Sequence, residues 1–144
     1  MATPQQRKAG RNVTGELSLK TERRTQLLDV TSAVAKMVHD CGVHHGVCHL
    51  YVPHTTAGIT VNEGADSDVA YDIEAAMDRL VPRDAGYRHA EGNSDSHVKA
   101  TLVGSSATLL ISAGKPELGR WQGIFFCEFD GPRERTLRIK IVSD

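Results

Sequence analysis

Between Thr136 and Val142, the apolar residues Leu137, Ile139 and Ile141 alternate with Arg138 and Lys140. A period of two sends successive side chains to opposite faces, so this stretch reads as a strand with one buried and one wet face. The region before it has the same character. Ala107 to Ser112 is apolar and partly β-branched, Gly114-Lys-Pro-Glu reads as a turn, Arg120 to Phe129 reads as a strand, and Asp130-Gly-Pro-Arg133 reads as the turn after it.

Upstream, strands and helices are mixed. Asn12–Lys20 and Arg24–Val30 read as strands, and Ser32–Asp40 as a short helix capped by Thr31 and ended by Gly42. Val34, Met37 and Val38 carry its helical spacing. Gly46–Val52 is β-like and closed by Pro53, and Gly58–Asn62 reads as a further strand. Asp66 or Ser67 caps the clearest helix, with Val69, Ile73, Ala76, Met77 and Leu80 on one face and Pro82 as its stop. A polar loop over 83–95 leads to a short helix, Asp95–Val103, with Ser94 as cap and Gly104 as terminator. There is no regular βαβ rhythm, so the expected class is α+β: a largely antiparallel sheet with two or three helices. The polar stretch 1–11 reads as a flexible tail, and residues 12–144 as a single domain.

Composition narrows the function. Lys and Arg number 17 against 18 Asp and Glu, a net charge of −1. No global field draws in nucleic acid, and no basic stripe with interleaved aromatics is present. No stretch approaches the roughly 20 apolar residues that span a bilayer, and the N-terminus has no apolar signal region, so the expected location is the cytoplasm. Cys41, Cys48 and Cys127 form no C-x-x-C pair and read as buried, reduced thiols.

The chemistry concentrates in histidine, of which there are seven. His39, His44 and His45 lie at a helix end and in a loop, where a cation suits the helix C-terminus. His49 lies mid-strand. His54 differs: it follows Pro53 and precedes Thr55-Thr56-Ala57-Gly58, an imidazole beside two hydroxyls and flexible backbone. His89 and His97 bracket Ala-Glu91-Gly-Asn93-Ser94-Asp95-Ser96, and His97 falls near a helix start. Small polar residues let backbone N–H groups approach an anion. Imidazoles brought together with His54 could hold a divalent metal, since three histidines plus water is an open zinc arrangement and neutral imidazole also suits nickel, copper and iron. A solvated loop with capping serines is the plain structural alternative.

Two further segments stand out. Gly119-Arg-Trp121-Gln122-Gly123 carries the only tryptophan, which is expected in the core. Gln122 beside it could orient a ligand or pair with backbone. Arg133, in the Asp130-Gly-Pro-Arg133 turn, could meet phosphate, although a surface ion pair is the nearer expectation.

Taken together, His54-Thr-Thr-Ala57, Asn62-Glu63, Asp66, Asp72, the His89–His97 loop, Lys99, Gly104, Gly119-x-Trp121-Gln122-Gly123 and Asp130-Gly-Pro-Arg133 resemble, in order, the YjbQ-like family, also called the secondary thiamine-phosphate synthase family. The likeness covers roughly residues 15–142, and Lys115-Pro116-Glu117 departs from it where the family is usually more apolar. The resemblance implies a compact α+β homotrimer with a site near the subunit boundary, and His54, His89 and His97 lining one pocket, in some relatives with a metal. It also implies a weak thiamine-phosphate synthase activity, which joins a pyrimidine-methyl diphosphate to a thiazole phosphate and releases pyrophosphate. Fitted to that reaction, Glu63 and Asp95 would hold a hard cation such as magnesium, and Arg133 and Lys99 would meet phosphate. His54, His89 and His97 would hold a softer metal such as zinc or donate hydrogen bonds. Thr55, Thr56, Asn62, Asn93, Ser94 and Gln122 would position a phosphorylated substrate. No Walker-type loop is present, so a phosphate site would be built from this loop alone. The same residues also suit a metal-dependent hydrolase with a zinc-bound water as nucleophile, or a non-catalytic trimer that holds a metal or small anion.

Overall fold

A computed structural model describes residues 12–144; the expected tail, residues 1–11, lies outside the described residues. The elements are β1 (Val13–Lys20), β2 (Gln26–Asp29), α1 (Thr31–Asp40), β3 (Gly46–Tyr51), β4 (Ala57–Glu63), α2 (Ser67–Leu80), α3 (Ser94–Val103), β5 (Ser106–Ser112), β6 (Lys115–Pro116), β7 (Gln122–Glu128) and β8 (Glu134–Ser143). The fold is α+β. Its strands form two sheets, ordered β1-β8-β3-β5-β6 and β2-β7-β4, and every pairing is antiparallel.

The run Ile124-Phe125-Phe126-Cys127 on β7 explains the layering. It is buried on both faces, as a strand between two packed layers must be. Ile124 and Phe126 join Ile59, Leu50, Leu137, Ile139 and Ile141 in a core between the sheets, which Val34 and Val38 of α1 enter as well. Phe125 and Cys127 face the other way, toward Ala100 of α3 and Ile73 and Met77 of α2. Each fully buried side chain of this size contributes about 1.5–3 kcal/mol. The alternation on β8 places Leu137, Ile139 and Ile141 inward, while Arg138 and Lys140 face solvent.

Several expectations are corrected. The expected turn at Gly114-Lys-Pro-Glu is a hairpin: Ser112 pairs with Lys115, and Ala113 and Gly114 make a two-residue loop with φ of 50° and 74°. Two successive positive φ values match the twist of the flanking strands. The N-cap of α1 is Val30 rather than Thr31, and its side chain makes no capping bond; the Asp29 carboxylate accepts the Thr31 N–H at 2.9 Å instead. The N-cap of α3 is Asn93, one residue before Ser94. Asp66 does cap α2 and accepts the Asp68 N–H. The apolar face of α2 is only half covered, however, and Leu80 is 74% exposed. The one buried residue of α2 is Glu74, whose Oε1 accepts the Leu27 N–H at 2.7 Å on the edge strand β2. Trp121 is not in the core; it is 57% exposed.

Cys48 and Cys127 are buried and Cys41 half-buried, all as free thiols. Burial pushes Cys48 up to about 11 and Cys127 up to about 12, so neither offers a thiolate near neutrality. No helix among the described residues is long and apolar enough to cross a membrane.

Candidate functional site

The pairing of β3 with β8 puts Tyr51 opposite Arg138. Continued past the end of β3, that antiparallel register carries His54 alongside Arg135 and Thr136. The Thr136 N–H donates to His54 Nε2 at 3.0 Å. Helix α3 comes to the same place from the other side. It rests on β4 where a Cβ at Gly58 would lie 2.7 Å from the Gly104 carbonyl oxygen and 3.0 Å from Val103 Cγ1, so only glycine permits the approach. The start of α3 thereby brings Asn93 and His97 to His54.

A cavity of about 380 Å³ opens between these elements. His54, Thr55 and Thr56 form one wall, Asn93 and His97 a second, and Asp130, Arg133 and Arg135 a third, with Glu91 at the margin. His89 joins through His97: the two rings meet edge to face, with centroids 5.6 Å apart and planes at 89°. His89 also lies 3.5 Å from Glu91.

Beneath the cavity is a buried ion pair that the sequence reading did not identify. Glu128 Oε1 accepts from Arg135 Nε at 2.8 Å and from the Thr21 hydroxyl at 2.7 Å, and Oε2 pairs with Arg135 Nη2. The Phe129 and Asp130 N–H groups also donate to Oε2, each at 3.1 Å. Burial pushes the Glu128 carboxyl up, but the bonds from Arg135, Thr21 and Asp130 N–H outweigh it and hold the group below its usual range. Arg135 Nη2 donates in addition to the Thr56 hydroxyl at 2.8 Å. With those bonds made, Arg135 serves as fixed wall, and Arg133 is the freer cation. Arg133 bonds Asp130 through Nε and Nη2, the surface pair expected from its position, and its side chain remains 53% exposed. Burial raises Asp130, while hydrogen bonds from Asn93 and Arg133 bring it below its ordinary value. Asn93 Oδ1, on the cavity wall, is buried with no hydrogen-bond partner.

His54 is held below its ordinary pKa, by burial first and then by the Arg135 guanidinium. Its Nε2 lone pair is occupied by Thr136, so the neutral ring carries its proton on Nδ1 and acts as a donor there. That state does not fit a ligand in a three-imidazole metal cage. Among the described residues no three His, Cys, Asp or Glu side chains are gathered closely enough to hold an ion.

The other expected site residues lie elsewhere. Asp95 is wholly buried and Lys99 is 2% exposed. Lys99 Nζ bonds Asp95 at 3.0 Å and Asp78 at 2.8 Å, and Asp95 also bonds Arg24 at 2.9 Å. This cluster lines a separate cleft with Thr25 and Arg83. Arg24 links the cleft to the cavity, since its Nη1 lies 3.5 Å from Asp130. Ser94 opens α3 without lining the cavity, while Ser96 donates its hydroxyl to the Phe129 carbonyl. Asn62, Glu63 and Gln122 sit at the far end of β4 and β7, where Glu63 pairs with Gln122. At the usual rise per residue, Glu63 is roughly 20 Å along the strand from the His54 end. Gln122 Oε1 accepts the Gly119 N–H at 2.7 Å, the backbone pairing expected as one of its two roles.

A sequence model of the family described as UPF0047 protein YjbQ-like matches residues 15–144. The UPF0047 protein MJ1081 of Methanocaldococcus jannaschii is 49% identical over 126 residues, covering 88% of this chain and 91% of its own. The UPF0047 protein YugU of Bacillus subtilis is 44% identical over 128 residues, covering 88% of this chain and 97% of its own. A solved structure of an uncharacterized YjbQ/UPF0047 protein from Clostridium acetobutylicum superposes with a TM-score of 0.85 at 51% identity, over 88% of this chain and 98% of that one. One from Sulfolobus solfataricus, described as a protein of unknown function, gives 0.89 at 29% identity, over 94% and 99%. The likeness extends over nearly the whole length of each relative as well as of this chain, and the chain belongs to the UPF0047, or YjbQ-like, family.

Proposed function

We propose that the cavity between His54, His97 and Arg133 binds the phosphate group of a small phosphorylated substrate, and that the protein acts as a transferase of the thiamine-phosphate synthase type with weak or secondary activity. The observation that carries this reading is the convergence of donors. His54, Thr55, His97 and the partly free Arg133, each able to donate a hydrogen bond, all line one cavity, beside an Arg135 fixed in place. Preorganised donors of this kind stabilise charge as it develops. In the proposed reaction the ring nitrogen of a thiazole phosphate attacks the methylene of a pyrimidine-methyl diphosphate. A C–N bond forms, the C–O bond to the diphosphate breaks, and its electron pair leaves on pyrophosphate. Arg133 and the imidazoles take up the leaving charge, and Thr55 and Asn93 orient the phosphate.

The homotrimer implied by the resemblance belongs to the same proposal. Tyr51 and Leu110, 53% and 57% exposed, lie on the outer face of the five-stranded sheet, where Leu110 pairs with Val47 and Tyr51 is four residues further along β3. That face suits coverage by a second copy, and light scattering measures the assembly directly.

The test of function is incubation of the purified protein with both substrates and chromatographic detection of thiamine phosphate and pyrophosphate. Product is expected from the wild-type chain and not from Arg133→Ala or His97→Ala with unchanged circular dichroism. Absence of product together with absence of binding by either substrate would overturn the reading.

A further inference from the structure

The charged cleft around Lys99 is set apart from the histidine cavity and takes no part in the reaction above. Its volume is about 290 Å³, and Arg24, Thr25, Asp78, Arg83, Asp95 and Lys99 line it. Lys99 is almost wholly buried, and a buried ammonium is costly unless it is paired. It bonds Asp78 and Asp95, which uses two of its three N–H groups. Asp95 is closed off on its other oxygen by Arg24. Asp78 is less complete. Its Oδ1 accepts from both Lys99 and the Thr25 hydroxyl, whereas its Oδ2 has no hydrogen-bond partner among the described residues, and the side chain is half exposed. Burial raises Asp78, but the bonds from Lys99 and Thr25 outweigh it, so the group is a carboxylate at neutral pH. Arg83, three residues past the end of α2, is exposed and has no ion-pair partner among the described residues. Three cations against two carboxylates leave one positive charge of the cleft unmatched.

We propose that this cleft is a second binding site, separate from the histidine cavity, and that it takes a small 2-hydroxycarboxylate. The charge balance calls for a monoanion. The Arg83 guanidinium is a planar fork that matches the two oxygens of a carboxylate, and Lys99 keeps one N–H to give. The free Asp78 Oδ2 decides what the carboxylate is attached to. Beside a plain carboxylate that oxygen meets only like charge, whereas a hydroxyl on the adjacent carbon donates to it. A doubly charged phosphate exceeds the one unmatched charge and is repelled further by Asp78. The volume lies near the lower end of the range for small-molecule pockets, about 300 Å³, which suits a ligand of a few heavy atoms.

Amide NMR titration of the whole chain with L-lactate and with propionate, at constant ionic strength, tests this. Saturable shifts are expected at Thr25, Arg83 and Lys99 and not at His54 or His97. Lactate is expected to bind about tenfold more tightly than propionate, the effect of one hydrogen bond to a charged group. In Arg83→Gln, at an exposed position that bonds nothing else, both affinities are expected to fall about tenfold. In Asp78→Asn, which keeps the shape and removes the free carboxylate oxygen, the two acids are expected to bind alike. Should Asp78→Asn fail to fold, the wild-type and Arg83→Gln titrations decide alone. Equal binding of lactate and propionate by the wild-type chain, shifts centred on the histidine cavity, affinities unchanged in Arg83→Gln, or no saturable shift at all would each overturn the site.

Discussion

The Thr136 backbone N–H donates to His54 Nε2 across 82 positions of sequence, at 3.0 Å. This bond joins the segment after β3 to the start of β8 and fixes which ring nitrogen carries the proton. An imidazolium has no lone pair to accept with, so the bond exists only while His54 is neutral. Burial and the neighbouring Arg135 favour the same state. His54 therefore faces a ligand as a neutral donor held by a main-chain clamp.

Stability should record that state. A histidine whose pKa is lowered in the fold binds fewer protons there than in the unfolded chain, where protonation sets in near pH 6.5, roughly the ordinary value. The contribution of His54 is thus full above that pH and is lost as pH falls from it toward the lowered folded value. Truncation by His54→Ala is expected to cost about 1 kcal/mol at neutral pH and progressively less below pH ~6.5. Urea unfolding over a pH series measures both chains. A difference that stays constant across the series contradicts the clamp.

The Glu128–Arg135 pair predicts a larger effect. Glu128 is wholly buried and Arg135 is 6% exposed, and each is bonded on more than one side. Removing one partner strands the other as an uncompensated charge, at a cost of about 3–5 kcal/mol. Arg135→Met and Glu128→Gln are each expected to fall in this range by chemical denaturation, with the double variant losing much less than the sum of the two. Because the Glu128 pKa is depressed, its contribution is present above the ordinary carboxylate range and is lost as pH falls through the folded value.

How much of this the sequence discloses depends on the range of the interaction. The alternation of Leu137, Ile139 and Ile141 is local and marks β8 directly, and the Asp66 cap likewise marks the start of α2. His54 and His97 stand out by their neighbours, but their approach depends on sheet register and on the missing Cβ of Gly58, neither of which has a local signature. Asp95 and Lys99 show the reverse. Their i, i+4 spacing is a sign of a helix pair, and that pairing, buried and shared with Arg24 and Asp78, takes them out of the histidine cavity. Glu128 and Arg135 carry no plain local sign of burial, because charges flanking a Gly-Pro turn normally face solvent; buried Phe129 beside Glu128 and buried Leu137 two residues after Arg135 are the available hint that this turn dips into the core.

Glu74 yields a third prediction. Its carboxylate supplies an acceptor to the Leu27 N–H of an edge strand and forms a two-point pair with Arg23, with both guanidinium contacts at 3.0 Å. It thereby fastens α2 to β2 in place of a neighbouring strand. Glu74→Ala leaves a buried N–H unsatisfied and is expected to cost about 1–3 kcal/mol. Glu74→Gln retains an acceptor oxygen for Leu27 and should cost less. Equal losses in the two variants, read from denaturation midpoints, would place the stabilisation in the charge pair with Arg23 and not in the capped edge.

Trp121 offers a test that runs against its residue type. A lone tryptophan is ordinarily a core anchor, and truncation of a large buried aromatic costs about 3–5 kcal/mol. Here the backbone is what is held: the Trp121 carbonyl accepts the Gly64 N–H at 2.7 Å, while the indole projects outward with the Arg120 guanidinium 4.7 Å from the ring centroid. An exposed cation–π contact is worth about 0.5–1 kcal/mol, and Trp121→Ala is expected to lose no more than that. Phe126→Ala, from the core between the sheets, should lose several times as much. As the only tryptophan, Trp121 also reports on itself: its emission in the monomeric chain should be red-shifted and readily quenched by acrylamide. If quenching becomes restricted as the chain associates at higher concentration, with no change in circular dichroism, the indole is being covered by another copy and not by its own core.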